Sequence, residues 1–67
     1  MVPQEMEALR ESIRKLNRQA VQMKMDLHDL SEELPLGWEK IPEIAHRTFE
    51  TYRELALSRE RLKSAEA

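Results

Sequence analysis

Leu34-Pro35-Leu36-Gly37-Trp38 lies near the middle of a 67-residue chain and separates two long stretches of helical pattern. The residue before a proline is pushed out of the α region by the pyrrolidine ring, so a helix that arrives at Leu34 must stop there. Gly37 supplies the permissive backbone position that a reversal needs. Pro42 has no N–H to donate and is tolerated only in the first turn of a following helix, which places that helix's start near residue 39. A hinge over 34–38 between two helices predicts an antiparallel helical hairpin.

Upstream of the hinge the pattern is a clean heptad. Val2, Met6, Leu9, Ile13, Leu16, Ala20, Met23, Leu27, Leu30 and Leu34 are spaced alternately by four and three. A period of 3.5 sustained this long specifies a helix with one narrow apolar seam. Pro3 suits a helix start, where its missing N–H costs nothing. The helix is expected over about 3–33, roughly 45 Å at ~1.5 Å per residue.

Downstream the apolar stripe is broader. Ile41, Ala45, Thr48, Tyr52, Leu55 and Leu62 continue the spacing, Phe49 and Ala56 widen it on one side, and Arg59 interrupts it. A stripe wider than a single seam suits a helix that meets more than one neighbour. This helix is expected over about 39–64. Folding about residue 37 sets Leu34 near Ile41, Leu27 near Thr48, Ala20 near Leu55 and Ile13 near Leu62, and leaves the residues before about 12 unmatched.

A chain this short makes one domain, residues 1–67, and buries only about 60% of its unfolded surface. There is no cysteine, so disulfides and thiolate metal sites are excluded as reinforcement. Self-association is the remaining remedy. The all-α hairpin is therefore expected to pair into a homodimeric four-helix bundle or a stacked rod, as a dimer or tetramer. Its oligomer core would be Met6, Leu9, Ile13, Leu16, Ala20, Met23, Leu27 and Leu30 from the first helix, with Ile41, Ala45, Phe49, Tyr52, Leu55 and Leu62 from the second.

Charged residues make up 36% of the chain, with a net charge of −2. That balance argues against nucleic acid as a partner, because phosphate binding needs a basic excess. No apolar run approaches the ~18 residues of a membrane span and no signal-peptide core follows Met1, so no membrane is expected and the chain reads as cytoplasmic. Charge is segregated along the rod. Residues 10–18 carry a net +3 and residues 59–63 a net +2, and both fall at the open end of the hairpin. Residues 24–50 hold seven acids against three bases, a net −4. The pattern fits a solvated helix surface laced with one-turn ion pairs, and it equally fits a rod whose ends dock on complementary surfaces.

The outward face near the hinge carries the candidate site. Leu27 and Leu30 belong to the seam, so His28, Asp29 and Glu32 project away from it, and Met25 also points outward with no packing role inside the hairpin. His28 and Glu32 are one turn apart, where an imidazole and a carboxylate can share a divalent ion. Two ligands make a weak site, so no cofactor is required and any metal would be loosely held. An ion pair between His28 and a neighbouring acid explains the same spacing. His46 falls at nearly the same level, with Glu43 three residues before it, but both flank the seam where di-metal bundles point their ligands inward. Trp38, the only tryptophan, either caps the core at the hinge or stands out as an aromatic anchor for a partner. The partner-binding candidates are Met25, His28, Asp29, Glu32 and Trp38.

The run Lys24-Met25-Asp26-Leu27-His28-Asp29-Leu30-Ser31-Glu32-Glu33-Leu34-Pro35, followed by Trp38, Ala45 to Thr48, Tyr52 and Leu55, resembles the Rop-like family of small proteins encoded in nitrogen-fixation gene clusters. The likeness covers residues 23–62. Ser31 and Phe49 depart from it, standing where the family more often has alanine and tyrosine. The resemblance implies a hairpin that dimerises and an accessory role in nitrogen fixation. It further implies the molybdenum–iron protein of nitrogenase, or a cofactor-assembly protein, as partner, and a metal role for His28.

Three functions follow in order. The first is a non-enzymatic accessory protein that binds nitrogenase or an assembly intermediate, for its stabilisation, protection or maturation. The second is a divalent-metal carrier using His28. The third is an RNA-binding hairpin using the basic open end, which lacks the aromatic side chains that such sites interleave with their charges. Leu9-Arg10-x-x-Ile13-x-x-Leu16 is similar to the opening helix of all-helical chorismate mutases, but the chain lacks their third helix and walled pocket. No nucleophile–base pair or phosphate loop is present, so no enzyme is expected.

Overall fold

Pro3 opens the first helix as the heptad requires. In the computed structural model, which describes residues 2–66, α1 spans Pro3–Glu33 and α2 spans Ile41–Glu66, with a single 3₁₀ turn at Trp38–Lys40 between them. Met1 and Ala67, the outermost residues of the expected 1–67 domain, lie outside the described residues. No strand occurs among the described residues, and the hairpin is a rod of 50 × 14 × 14 Å. Val2 caps α1 through its backbone carbonyl, which accepts from the Met6 N–H at 3.0 Å.

The hinge works as its residues dictate. Leu34 is extended, with φ −55° and ψ 141°, as a residue before proline must be. Its N–H still donates to the Leu30 carbonyl at 3.2 Å, closing the last turn of α1. The Leu34–Pro35 peptide is cis, and Gly37 sits in the left-handed region at φ 74°. The Gly37 carbonyl then accepts from the Lys40 N–H at 3.0 Å, which starts the 3₁₀ turn. That turn delays the second α-helix to Ile41, two residues beyond the expected start, and leaves Pro42 in its first turn.

The helices run antiparallel. Arg10 reaches Glu66 at 3.1 Å, Arg59 donates to Asn17 at 2.7 Å, and the Tyr52 hydroxyl donates to the Ala20 carbonyl at 3.3 Å. Ile13, Ala20 and Leu55 form the buried core, with Leu9, Leu16 and Leu62 packed against it, and Leu30 is buried closer to the hinge. α2 continues past Ser64 to Glu66, so the unmatched overhang is shorter than expected: Leu9 packs on the core and Arg10 has a partner on α2.

The contact line on α2 differs from the expected stripe. Glu50 apart, the side chains of α2 withdrawn from solvent are Ile44, Thr48, Thr51, Leu55, Ser58, Leu62 and Ala65, in a strict 4/3 spacing. Thr48, Leu55 and Leu62 were expected on this line. Ile41, Ala45, Phe49 and Tyr52 remain exposed beside it, so within one hairpin they form no core. The physical reason is local. Thr48 and Thr51 donate their hydroxyls to the carbonyls of Ile44 and Arg47 one turn back, at 2.7 and 2.9 Å. A hydroxyl satisfied by its own helix can face a seam without an external partner.

Candidate partner-binding surface

The two features that the sequence marked near residue 28 and at the hinge occupy neighbouring parts of one end of the rod. Leu30 turns inward, and Met25, His28, Asp29 and Glu32, which lie off its line on α1, are all exposed. His28 Nε2 lies 3.5 Å from a Glu32 oxygen, and Nδ1 lies 3.6 Å from an Asp29 oxygen. Both imidazole nitrogens thus face carboxylates in open solvent, where a pair contributes about 0–1 kcal/mol. The Ser31 hydroxyl donates to the His28 carbonyl at 2.7 Å and so stays local to the helix. Val21, Lys24 and Met25 flank His28 and Asp29 around a shallow dent on this face.

His46 is not part of this arrangement. It lines a different groove, between the helices, with Gln19, Gln22, Met23, Arg47 and Glu50. Among the described residues no group of three or more histidines, acids or cysteines is placed to share an ion. His28 and Glu32 are the pair that this chain could offer a metal, with Asp29 on the imidazole's other nitrogen.

At the tip, Trp38 is 63% exposed and Leu36 is 76% exposed. Trp38 therefore does not cap the core; Leu30 closes that end, its Cδ1 3.4 Å from where a Cβ on Gly37 would stand. The left-handed turn at Gly37 carries the chain across the end of the core and leaves the side chains on both sides of it in solvent. Leu36 was not among the expected site residues. Its signal was available: a leucine between Pro35 and Gly37 has no helix to present it to a core.

Acids surround this tip, with Glu32, Glu33 and Glu39 all exposed. At the basic open end, two of the seven bases have acid partners. Arg14 contacts Glu11 at 2.7 Å and Glu7 at 3.5 Å, and Arg10 contacts Glu66 at 3.1 Å and Glu7 at 4.0 Å. The hydrogen bond and charge of Arg14 hold the Glu11 carboxyl below the usual carboxylate range. The same contacts raise the Arg14 guanidinium.

Relatives share most of this length. The chain is 48% identical over 50 residues to a UPF0437 protein in the nifX-nifW intergenic region of Frankia alni, covering 75% of this chain and 61% of that relative. It is 44% identical over 63 residues to a UPF0437 protein of Azorhizobium caulinodans, covering 94% of this chain and 91% of the other. A UPF0437 protein of Trichormus variabilis is 46% identical over 63 residues, 94% of this chain and 73% of its own. No solved structure matches the chain. The Rop-like family model matches residues 4–67, which takes in both helices and the hinge, and the chain belongs to the Rop-like family.

Proposed function

We propose that this hairpin is a non-enzymatic accessory protein of nitrogen fixation that binds nitrogenase, through its molybdenum–iron protein or an assembly intermediate, and acts in the cytoplasm to stabilise, protect or mature it. The observation that carries the reading is the Frankia relative, 48% identical and placed between nif genes. The hinge tip supplies a means. An exposed leucine and tryptophan flanking a hydrogen-bonded turn are apolar anchors, and tryptophan is enriched where binding energy concentrates. The acids around them orient the approach to a basic or mixed surface. A binding role also suits a chain whose ionisable side chains lie on solvated helix faces.

The test is affinity capture of the tagged chain from cells actively fixing nitrogen, read by mass spectrometry against a non-fixing control. Enrichment of nitrogenase subunits is expected, and it should be lost in Trp38→Ala and weakened in His28→Ala. Recovery of no nitrogen-fixation protein would contradict the proposal.

Metal carriage is a second reading, supported by the Glu32 carboxylate that faces Nε2 of His28 from one turn away. It predicts saturable calorimetric binding of a divalent ion that disappears in His28→Ala. A flat titration of the unmodified chain would remove it.

A further inference from the structure

The outward face of α1 repeats the spacing of its inward seam. Arg14, Arg18, Val21, Met25, His28 and Glu32 follow one another at four, three, four, three and four, and all are exposed. Val21 is 57% exposed and Met25 54%, and with Lys24, His28 and Asp29 they line a shallow dent on this face. A single apolar side chain on a helix surface is ordinary. Leu57, 55% exposed on α2, is of that kind, since its one-turn neighbours are Arg53, Glu54, Glu60 and Arg61. Val21 and Met25 differ, because they are one-turn neighbours of each other and charge is sorted on either side of them. Arg18 lies toward the open end and pairs with no acid among the described residues, whereas Arg14 is held by Glu7 and Glu11. Asp29 and Glu32 lie toward the hinge, with His28 as their contact.

We propose that this stripe docks an amphipathic helix of another protein. That helix seats an apolar pair on Val21 and Met25, with a carboxylate at Arg18 and a lysine or arginine at Glu32. Spacing favours a helix as the occupant, because a 4/3 line with apolar positions at its centre matches the anchors of a second helix. From Arg18 to Glu32 the stripe runs about 21 Å at ~1.5 Å per residue, which asks for about four turns of partner. Charge decides which helix fits. With a base at one end and acids at the other, a partner of the opposite order gains at both ends, and one of the same order is repelled at both. A second copy of this chain does not meet that condition. An antiparallel copy that packs Val21 on Met25 sets Arg18 against His28. The base it sets against an acid, Arg14 against Glu32, is already held by Glu7 and Glu11. A parallel copy sets Arg18 on Arg18 and Glu32 on Glu32. Leu36 and Trp38 lie outside the stripe, so the proposal does not rest on the nitrogenase reading and the two contacts can fail separately.

The test places a photo-reactive benzophenone amino acid at Met25 of the full chain in its own cells, with the same group at Leu57 as the control. Illumination should link the Met25 form to a segment of another protein. Mass spectrometry of that segment should find an apolar pair one turn apart, with an acid to one side and a base to the other. Arg18→Glu should lower the yield about tenfold, and changing the segment's acid to lysine should restore it. Glu32→Lys should act in the same way at the other end, and it decides if far-UV circular dichroism shows that Arg18→Glu loses its helices. Leu36→Ala with Trp38→Ala should leave the yield unchanged; loss there and not in Arg18→Glu would assign the contact to the hinge tip and overturn the proposal. A link to this chain's own peptide, a segment without that charge order, or no link at Met25 would each overturn it. So would capture of the same segment from Leu57, or a yield that neither charge reversal alters.

Discussion

The two halves of the hairpin use their apolar residues in opposite ways. The open half turns most of them inward: Ile13, Ala20 and Leu55 are buried, Leu9, Leu16 and Leu62 pack on them, and two side-chain ties cross between the helices, while Val2 and Leu57 stay exposed. The hinge half buries Leu30 and leaves Leu27, Leu34, Leu36, Trp38, Ile41, Phe49 and Tyr52 in solvent. A 67-residue chain has little apolar area to spare for display. The difference therefore separates a half that holds the hairpin together from a half that leaves apolar side chains uncovered, where the proposed partner contact lies.

The strongest attack on that division is Leu55→Ala. Leu55 is 3% exposed at the centre of the core, and truncating a buried leucine costs about 2–5 kcal/mol. In a scaffold this small that is comparable to the whole stability, so a thermal melt should show the helix signal largely gone at room temperature. Gly37→Ala is next. Its left-handed φ of 74° costs an L-residue about 1–2 kcal/mol, so the melting temperature should fall while the helical content at low temperature stays near normal. Leu36→Ala with Trp38→Ala should shift stability by no more than about 0.5 kcal/mol, because exposed side chains away from structural features contribute little. A large loss of stability there would erase the contrast between the halves.

The smallest expected effect is that of Glu11→Gln. Arg14 holds the Glu11 carboxyl below its ordinary range in the folded chain, so this pair stabilises at pH values above that range and its contribution fades as pH falls through the lowered value. The pair is fully solvated. Melts at neutral pH should therefore differ little between Glu11→Gln and the unmodified chain, and that difference should vanish in acid.

How much of this the sequence disclosed also differs between the helices. α1 was legible to its ends, because one strict heptad bounded by Pro3 and Pro35 admits a single helical register. The hairpin followed from the hinge. The contact line of α2 was not legible, because the larger side chains Ile41, Phe49 and Tyr52 drew the stripe to one side of the true seam. Thr51 and Ser58 read as polar, yet the Thr51 hydroxyl, like that of Thr48 on the expected stripe, is satisfied within its own helix and leaves its methyl group free to pack. Trp38 could be read either way from composition. Its exposure depends on the direction in which Gly37 turns the chain, and no local pattern encodes that.

The most direct test of this division is binding of purified molybdenum–iron protein to three forms of the chain: unmodified, altered at the hinge tip by Leu36→Ala with Trp38→Ala, and altered at the open end by Arg61→Ala with Lys63→Ala. The account predicts that the unmodified and open-end forms bind alike and that the hinge form, still helical, does not. Equal binding by the hinge form, or loss confined to the open-end form, would contradict it.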